Sequence, residues 1–282
     1  MLAFLSRFSI LACFIFFCGN IIGQTLPVMT YNIRYATERD GENSWEKRKE
    51  AMVQLLEDYH PMIIGTQEGL HHQLEYLTKE LGPYKYIGVA RDDGKQKGEF
   101  SAILYDTTRL EVSRENTFWL MEPGDKDSIG WDAAYKRICT YGLFRDKLSG
   151  SSFWVFNAHF DHVGLEARKQ SAQQIKNVLS ERCDSESRVI IMGDFNSEPG
   201  SEPVQIIERW YADGLKLARE KQKEPLGTFT GWDKDAKLDR RIDYIFVHNF
   251  GVEKYLHLSE RRGDGYFISD HLPVMAWLRL TQ

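Results

Sequence analysis

The residues Met192-Gly193-Asp194-Phe195-Asn196 run directly out of the apolar stretch Val189-Ile190-Ile191. A short apolar run bounded by glycine reads as a buried strand, so the side chains just past its end arrive at the rim of a sheet. There a carboxylate and an amide stand two residues apart and face the same way. A carboxylate that steers a water, beside an amide that holds a phosphate or metal-side oxygen, suits metal-assisted hydrolysis of phosphate esters. The same residues also fit an Asp-Phe-Asn turn that only caps the next helix.

Five more segments are apolar runs carrying a polar residue of catalytic type: 28–32 with Asn32, 63–68 with Glu68, 153–159 with His159, 240–245 with Asp243, and 269–274 with Asp270 and His271. Each has a plain alternative. Asn32 suits a turn cap, Glu68 the cap of a following helix, His159 a satisfied rim histidine, and Asp243 an ion pair with Arg240 or Arg241. As an ordered set the segments resemble the endonuclease/exonuclease/phosphatase superfamily, which includes DNase I-like nucleases, exonuclease III-like enzymes, inositol polyphosphate 5-phosphatases and neutral sphingomyelinases. The resemblance runs over essentially all of 24–282, and Gly193 to Asn196 and Ser269-Asp270-His271 are its most specific parts.

The resemblance implies a four-layer α/β sandwich of two packed mixed sheets flanked by helices, with the site where strand ends from both sheets meet. It implies that Glu68 is the main ligand of Mg²⁺ or Mn²⁺, with Asn32 and Asp270 in the same pocket; Mg²⁺ tolerates so few carboxylates because it keeps most of its waters. Asp194 would orient or deprotonate the attacking water and Asn196 would hold the phosphate. His271 would pair with Asp243, and His159 would donate to a non-bridging phosphate oxygen. Beyond the resemblance, Arg34 and Arg137 are expected to face substrate, since a guanidinium suits phosphate. Asp161, His162 and Arg168 are weaker candidates near the site, and Trp119 and Trp131 could wall a base or sugar or simply pack in the core.

Of the 282 residues 42% are hydrophobic and 13% aromatic, a globular composition, and the formal charge of −5 argues against gripping nucleic acid by bulk electrostatics. The first 24 residues hold one base, Arg7, and no acid, and 8–22 is almost wholly apolar. This reads as a secretory signal over 1–23, cleaved near Gly23-Gln24, with one domain over 24–282 and an exported, periplasmic or extracellular product. An uncleaved anchor, or lipidation at Cys13 or Cys18, is the weaker reading. Cys139 and Cys183 then remain, expected as separate core thiols.

Helical spacing predicts helices from a capping box at Asn43 to Glu46 up to Tyr59, on the Leu70, Leu74, Leu77, Leu81 face, and over 165–179. Strands are expected over 84–89, 101–105, 138–144, 152–159, 189–192, 242–247 and 272–278, with surface loops over 92–97, 122–129 and 233–240. The expectation is thus a monomeric, metal-dependent hydrolase of phosphate esters, either a phosphodiesterase or nuclease or a phosphatase, with a nucleotide or nucleic acid among the candidate substrates and no membrane span in the mature chain. A sphingomyelinase-like phospholipid headgroup hydrolase, and a non-catalytic binding module on the same sandwich, are the alternatives.

Overall fold

The computed structural model describes residues 25–122 and 129–280. The expected leader over 1–23, with Cys13 and Cys18, and the 123–128 part of one expected loop lie outside the described residues. In chain order the strands are β1 (Leu26–Asn32), β2 (Ile63–Gln67), β3 (Tyr84–Ile87), β4 (Ile103–Asp106), β5 (Leu110–Trp119), β6 (Ile138–Asp146), β7 (Ser152–His159), β8 (Val189–Asp194), β9 (Ala212–Asp213), β10 (Glu220–Lys221), β11 (Asp243–His248), β12 (Phe250–His257) and β13 (Val274–Leu280). The helices are α1 (Trp45–Tyr59), α2 (His71–Glu80), α3 (Leu165–Arg182), α4 (Glu202–Glu208) and the single turn α5 (Gly214–Leu217).

Two mixed sheets form, one of seven strands in the order β10-β12-β13-β1-β2-β4-β3 and one of six in the order β5-β6-β7-β8-β11-β9. Their central strands are apolar on both faces because both faces are covered. Val28, Ile63, Val155, Ile190 and Ile245 pack between the sheets. Their neighbours Met29 and Ile64 turn the other way, onto Met52 and Leu55 of α1 and Leu74 and Leu77 of α2. On the far side Phe156, Ile191 and Phe246 meet Ile175 and Leu179 of α3 and Val204 and Ile207 of α4. The four layers follow from this alternation, and each buried Ile or Phe side chain contributes about 1.5–3 kcal/mol of transfer free energy.

One polar clamp crosses the apolar layer between the sheets. Asn157 Nδ2 donates to the Thr66 and Ala102 carbonyls at 2.9 and 2.8 Å, and Gln67 Nε2 donates to Asn157 Oδ1 at 2.7 Å. Buried amides are costly unless so satisfied, and these bonds tie the rim of one sheet to the other. Gly193 has φ +147, and a Cβ there would lie 2.0 Å from the Ala158 carbonyl oxygen. Only glycine lets β7 and β8 approach that closely, which accounts for the residue ahead of Asp194.

The expected strands and helices form with shifted ends, and α3 continues to Arg182. The expected capping box does not form: Ser44 makes no side-chain bond at the start of α1, and a 3-10 helix, Glu38–Asn43, precedes it, capped by Thr37. The edge strands β5, β9 and β10 were not signalled because an edge faces solvent on one side and loses the apolar run, and neither the half-buried β12 nor the seven-residue α4 was signalled, each being too short or too mixed to set a clear period. Among the described residues both cysteines are free, Cys139 fully buried and Cys183 only partly so at the end of α3. Among the described residues no helix is long and apolar enough to cross a membrane.

Candidate active site

Register alone collects the site. In the six-stranded sheet His159 pairs with Asp194 across β7 and β8, and Asp194 pairs with Asp243 across β8 and β11. In the other sheet β1 and β2 run parallel and end level, Asn32 beside Gln67, with Glu68 next. Asp270 and His271 lie just ahead of β13, which runs antiparallel to β1. Just past strand ends, Arg34, Glu68 and Asn196 take φ of +56, +63 and +45. Left-handed backbone at a non-glycine residue costs about 1–2 kcal/mol, and here it turns functional side chains back over the rim.

One amide joins the two rims. Asn32 Nδ2 donates to Glu68 Oε1 and to Asp194 Oδ2, each at 3.1 Å. Asp194 Oδ2 also lies 3.4 Å from His159 Nε2 and 3.7 Å from His271 Nε2, while its Oδ1 accepts the Asn196 N–H at 2.9 Å. His271 Nδ1 is 2.9 Å from Asp243 Oδ2. The six expected segments therefore meet in one cleft of about 660 Å³.

The two histidines are driven in opposite directions. Burial opposes charge on His271, but the carboxylates of Asp243 and Asp194 outweigh it and raise the ring above its ordinary range. Burial, with the Arg137 and Arg91 guanidiniums beside it, pushes His159 far down, so that ring is neutral. Arg137 Nη1 must donate to His159 Nδ1 at 3.1 Å, which leaves the proton on Nε2, the nitrogen directed toward the Asp194 carboxylate. Asp194 is raised by burial and then by the Asp243 carboxylate, which makes it a better proton acceptor. Asn196 Nδ2 is held by the Phe160 carbonyl at 3.0 Å.

Glu68 and Asp270 form the acidic corner. Arg34 faces them, its Nη1 3.5 Å from Glu68 and its Nε 3.9 Å from Asp270, while Asp40 holds the same guanidinium at 3.0 and 3.1 Å. Asp270 is raised by burial, with Glu68 adding to it, so this corner carries negative charge that its neighbours do not fully offset. Hard carboxylate oxygens in that state fit a hard divalent cation. Asn32, expected among the ligands, bridges the carboxylates through Nδ2, and its Oδ1 accepts the Arg34 N–H at 3.1 Å with one lone pair, which leaves the second for a further contact. Asp194, Asp243 and His271 also lie close enough to ligate an ion, their candidate atoms within 4.8 Å of one another. His271, hydrogen-bonded to Asp243 with its pKa raised by both carboxylates, would give up its ring proton to ligate an ion there.

Arg34 and Arg137 both line the cleft, and Arg137 is held in place: its Nε meets Asp161 at 3.2 Å and its two Nη atoms meet His159 and His162 at 3.1 Å each, which leaves one N–H on each Nη. Asp161 is buried and also binds the Val163 and Gly164 N–H groups, so it organises the turn and holds Arg137. Arg168 donates to the Asp161 carbonyl, and Trp119 Nε1 to the Arg91 carbonyl at 2.8 Å. Neither Trp119 nor Trp131 lines the cleft. Arg91, Glu99, Tyr135, Phe229 and Arg240 do, and the sequence did not point to them. Glu99 precedes an apolar run instead of ending one, and the others lie in polar loops without spacing of their own.

A sandwich of two mixed sheets with this carboxylate and histidine rim has the architecture of a DNase I-like hydrolase. Residues 29–271 match the Endonuclease/Exonuclease/phosphatase family, and the chain belongs to it. It is similar to the mannosyl-6-phosphatase of Bacteroides thetaiotaomicron, at 35% identity and TM-score 0.85, covering 90% of this chain and 99% of that one. A family protein from Bacteroides vulgatus is similar at 36% identity and TM-score 0.85, covering 91% and 99%. An uncharacterised protein of Acanthamoeba polyphaga mimivirus is 27% identical over 278 residues, 89% of this chain and 98% of its own. The family and its structural neighbours are phosphoester hydrolases, a phosphatase among them.

Proposed function

We propose that this chain is a divalent-metal-dependent phosphatase that hydrolyses small, soluble phosphate monoesters. The observation that carries the reading is the bridge from Glu68 through Asn32 to Asp194, which places a cation corner and a proton-handling corner on one cleft. Glu68 and Asp270 would hold the ion, which supplies Lewis-acid charge to phosphoryl oxygens. Asp194, fixed by Asn32 and the Asn196 N–H, orients a water and accepts its proton. His271, kept charged by Asp243, sets positive charge beside Asp194, and neutral His159 donates from Nε2 to a phosphoryl oxygen as negative charge builds.

A small substrate is favoured over a polynucleotide by the state of the cleft arginines. Arg34 faces Asp40, Arg91 faces Glu99, Arg137 faces Asp161 and Arg240 faces Glu198. That leaves no track of unpaired cations to follow a polyanion, and the similarity to a sugar phosphatase points the same way. In the same reading, residues 1–23 export the protein, and their fusion to a reporter that is active only outside the cytoplasm should switch it on.

The test is release of nitrophenol from 4-nitrophenyl phosphate and bis(4-nitrophenyl) phosphate, with Mg²⁺ or Mn²⁺ and with chelator. Metal-dependent release with the monoester preferred is expected. Preference for the diester would replace the monoester reading by a phosphodiesterase, and no release from either ester with any divalent ion would end the hydrolase reading.

A further inference from the structure

Arg91 and Glu99 line the same cleft as Asp194, His159 and His271, and no role in the proposed hydrolysis uses them. Asp194 stands among Asp243 and His271, and Phe229 packs edge-on to His271 at 5.1 Å, so these residues mark the nucleophile side. For in-line displacement the departing oxygen lies opposite. Arg91 and Glu99 stand among the charges of Glu68 and Arg137. They are joined end-on, Arg91 Nη1 to Glu99 Oε2 at 2.8 Å and Nη2 to Oε1 at 2.7 Å. The loop that carries them is pinned from below, since the Arg91 N–H donates to the Glu99 carbonyl at 3.0 Å and Trp119 Nε1 binds the Arg91 carbonyl. At the mouth Tyr135, 53% exposed, stacks on His162 at 5.9 Å and against the Arg91 guanidinium at 5.2 Å.

Resting on the phosphatase reading above, we propose that Arg91 and Glu99, with Tyr135 at the rim, form a subsite that reads the hydroxyl groups of a sugar leaving group. The pair is under-compensated for its burial. Desolvation pushes the Glu99 carboxyl up to about 7 despite Arg91, and the same cause lowers Arg91. A desolvated ion pair in an open cleft gains from additional hydrogen bonds, and neutral vicinal hydroxyls supply them without changing the charge: one donates to a free carboxylate lone pair, another accepts from a remaining guanidinium N–H. An exposed tyrosine beside such a pair covers the C–H face of a sugar ring.

The experiment compares mannose 6-phosphate and glucose 6-phosphate with 4-nitrophenyl phosphate, which presents the same phosphoryl group and no hydroxyls. Wild-type kcat/KM should favour a hexose phosphate, and E99Q and R91K should each lower the ratio of hexose phosphate to nitrophenyl phosphate by about tenfold or more, mainly through KM, as lost hydrogen bonds to charged groups do. A wild-type ratio that favours nitrophenyl phosphate, or a ratio unmoved in both variants because both substrates fall together, overturns the subsite. If the wild type hydrolyses no phosphoester, the phosphatase reading fails by itself, and calorimetry decides the subsite. Mannose 6-phosphate should then bind E99Q about tenfold more weakly than wild type, relative to inorganic phosphate in the same two proteins, and an unchanged relative affinity overturns it.

Discussion

The rims of the two sheets converge on one cleft with opposite chemistry. The seven-stranded sheet and its flanking loops bring Glu68 and Asp270 with Arg34, a corner of carboxylates that keep lone pairs free. The six-stranded sheet brings His159, Asp194 and Asp243, most of whose polar atoms are bonded to one another or to Asn32, Asn196, Arg137 and His271, Asp243 Oδ1 being buried without a partner. One half is open to a group from outside, and the other is bonded mostly within the protein. Satisfied networks in a low-dielectric setting hold defined protonation states, which suits proton transfer, whereas under-satisfied carboxylates suit a cation. The two histidines sharpen the point, since ring position relative to arginine or aspartate decides that one is neutral and the other charged.

The comparison breaks most severely at the aspartate and histidine half. D194N should lower kcat by about a thousandfold with the circular dichroism spectrum and melting temperature retained, because general-base catalysis supplies effects of that size. Turnover close to wild type in that variant would remove Asp194 from the chemistry. At the open half, E68Q should weaken Mg²⁺ or Mn²⁺ binding by about 10–100-fold in a calorimetric titration, following loss of one strong ligand charge. If the affinity stays the same, the ion belongs with Asp194, Asp243 and His271 instead.

A smaller effect separates holding from reacting. R137M frees the His159 Nδ1 atom from its fixed donor, so both tautomers become populated and kcat should fall by about tenfold, with KM for the phosphoester moving less. An imidazole NMR spectrum that still reports a single Nε2–H tautomer would contradict this.

The smallest effect is on stability. Burial works against charge on Asp161, but the N–H groups of Gly164 and Val163, and then Arg137, hold its carboxyl down at about 2 against an ordinary 3.8. Because the folded value is the lower one, this stabilisation is fully present above pH 3.8 and is lost as pH falls from 3.8 through 2. Urea midpoints measured through that window should fall for wild type and stay flatter for D161N. Parallel curves would show that the carboxylate network contributes nothing there.

Much of this molecule is readable along the chain, and the limit has a physical cause. Strands β7 and β8 are legible because both faces are buried, so Val155-Phe156 and Ile190-Ile191 leave continuous apolar runs whose ends locate His159 and Asp194. Edge strand β5 is illegible because half of it faces water. Candidate residues at strand ends were found for the same reason: where a continuous apolar run stops, the buried strand stops, hence which side chains reach a rim.

What the chain alone could not supply was who faces whom. Asn32 is a plausible ligand by type, and its position adds a role the sequence did not state, a donor that bridges Glu68 and Asp194. Arg137 is a plausible phosphate binder by type, and its position adds a clamp on two histidines. Arg91 and Glu99 carry no local pattern and meet only because a loop pinned by Trp119 folds back on itself. Composition and periodicity report burial, which is a property of one segment. Hydrogen-bond partnership and protonation depend on groups distant in sequence, and those are settled when two sheets close on each other.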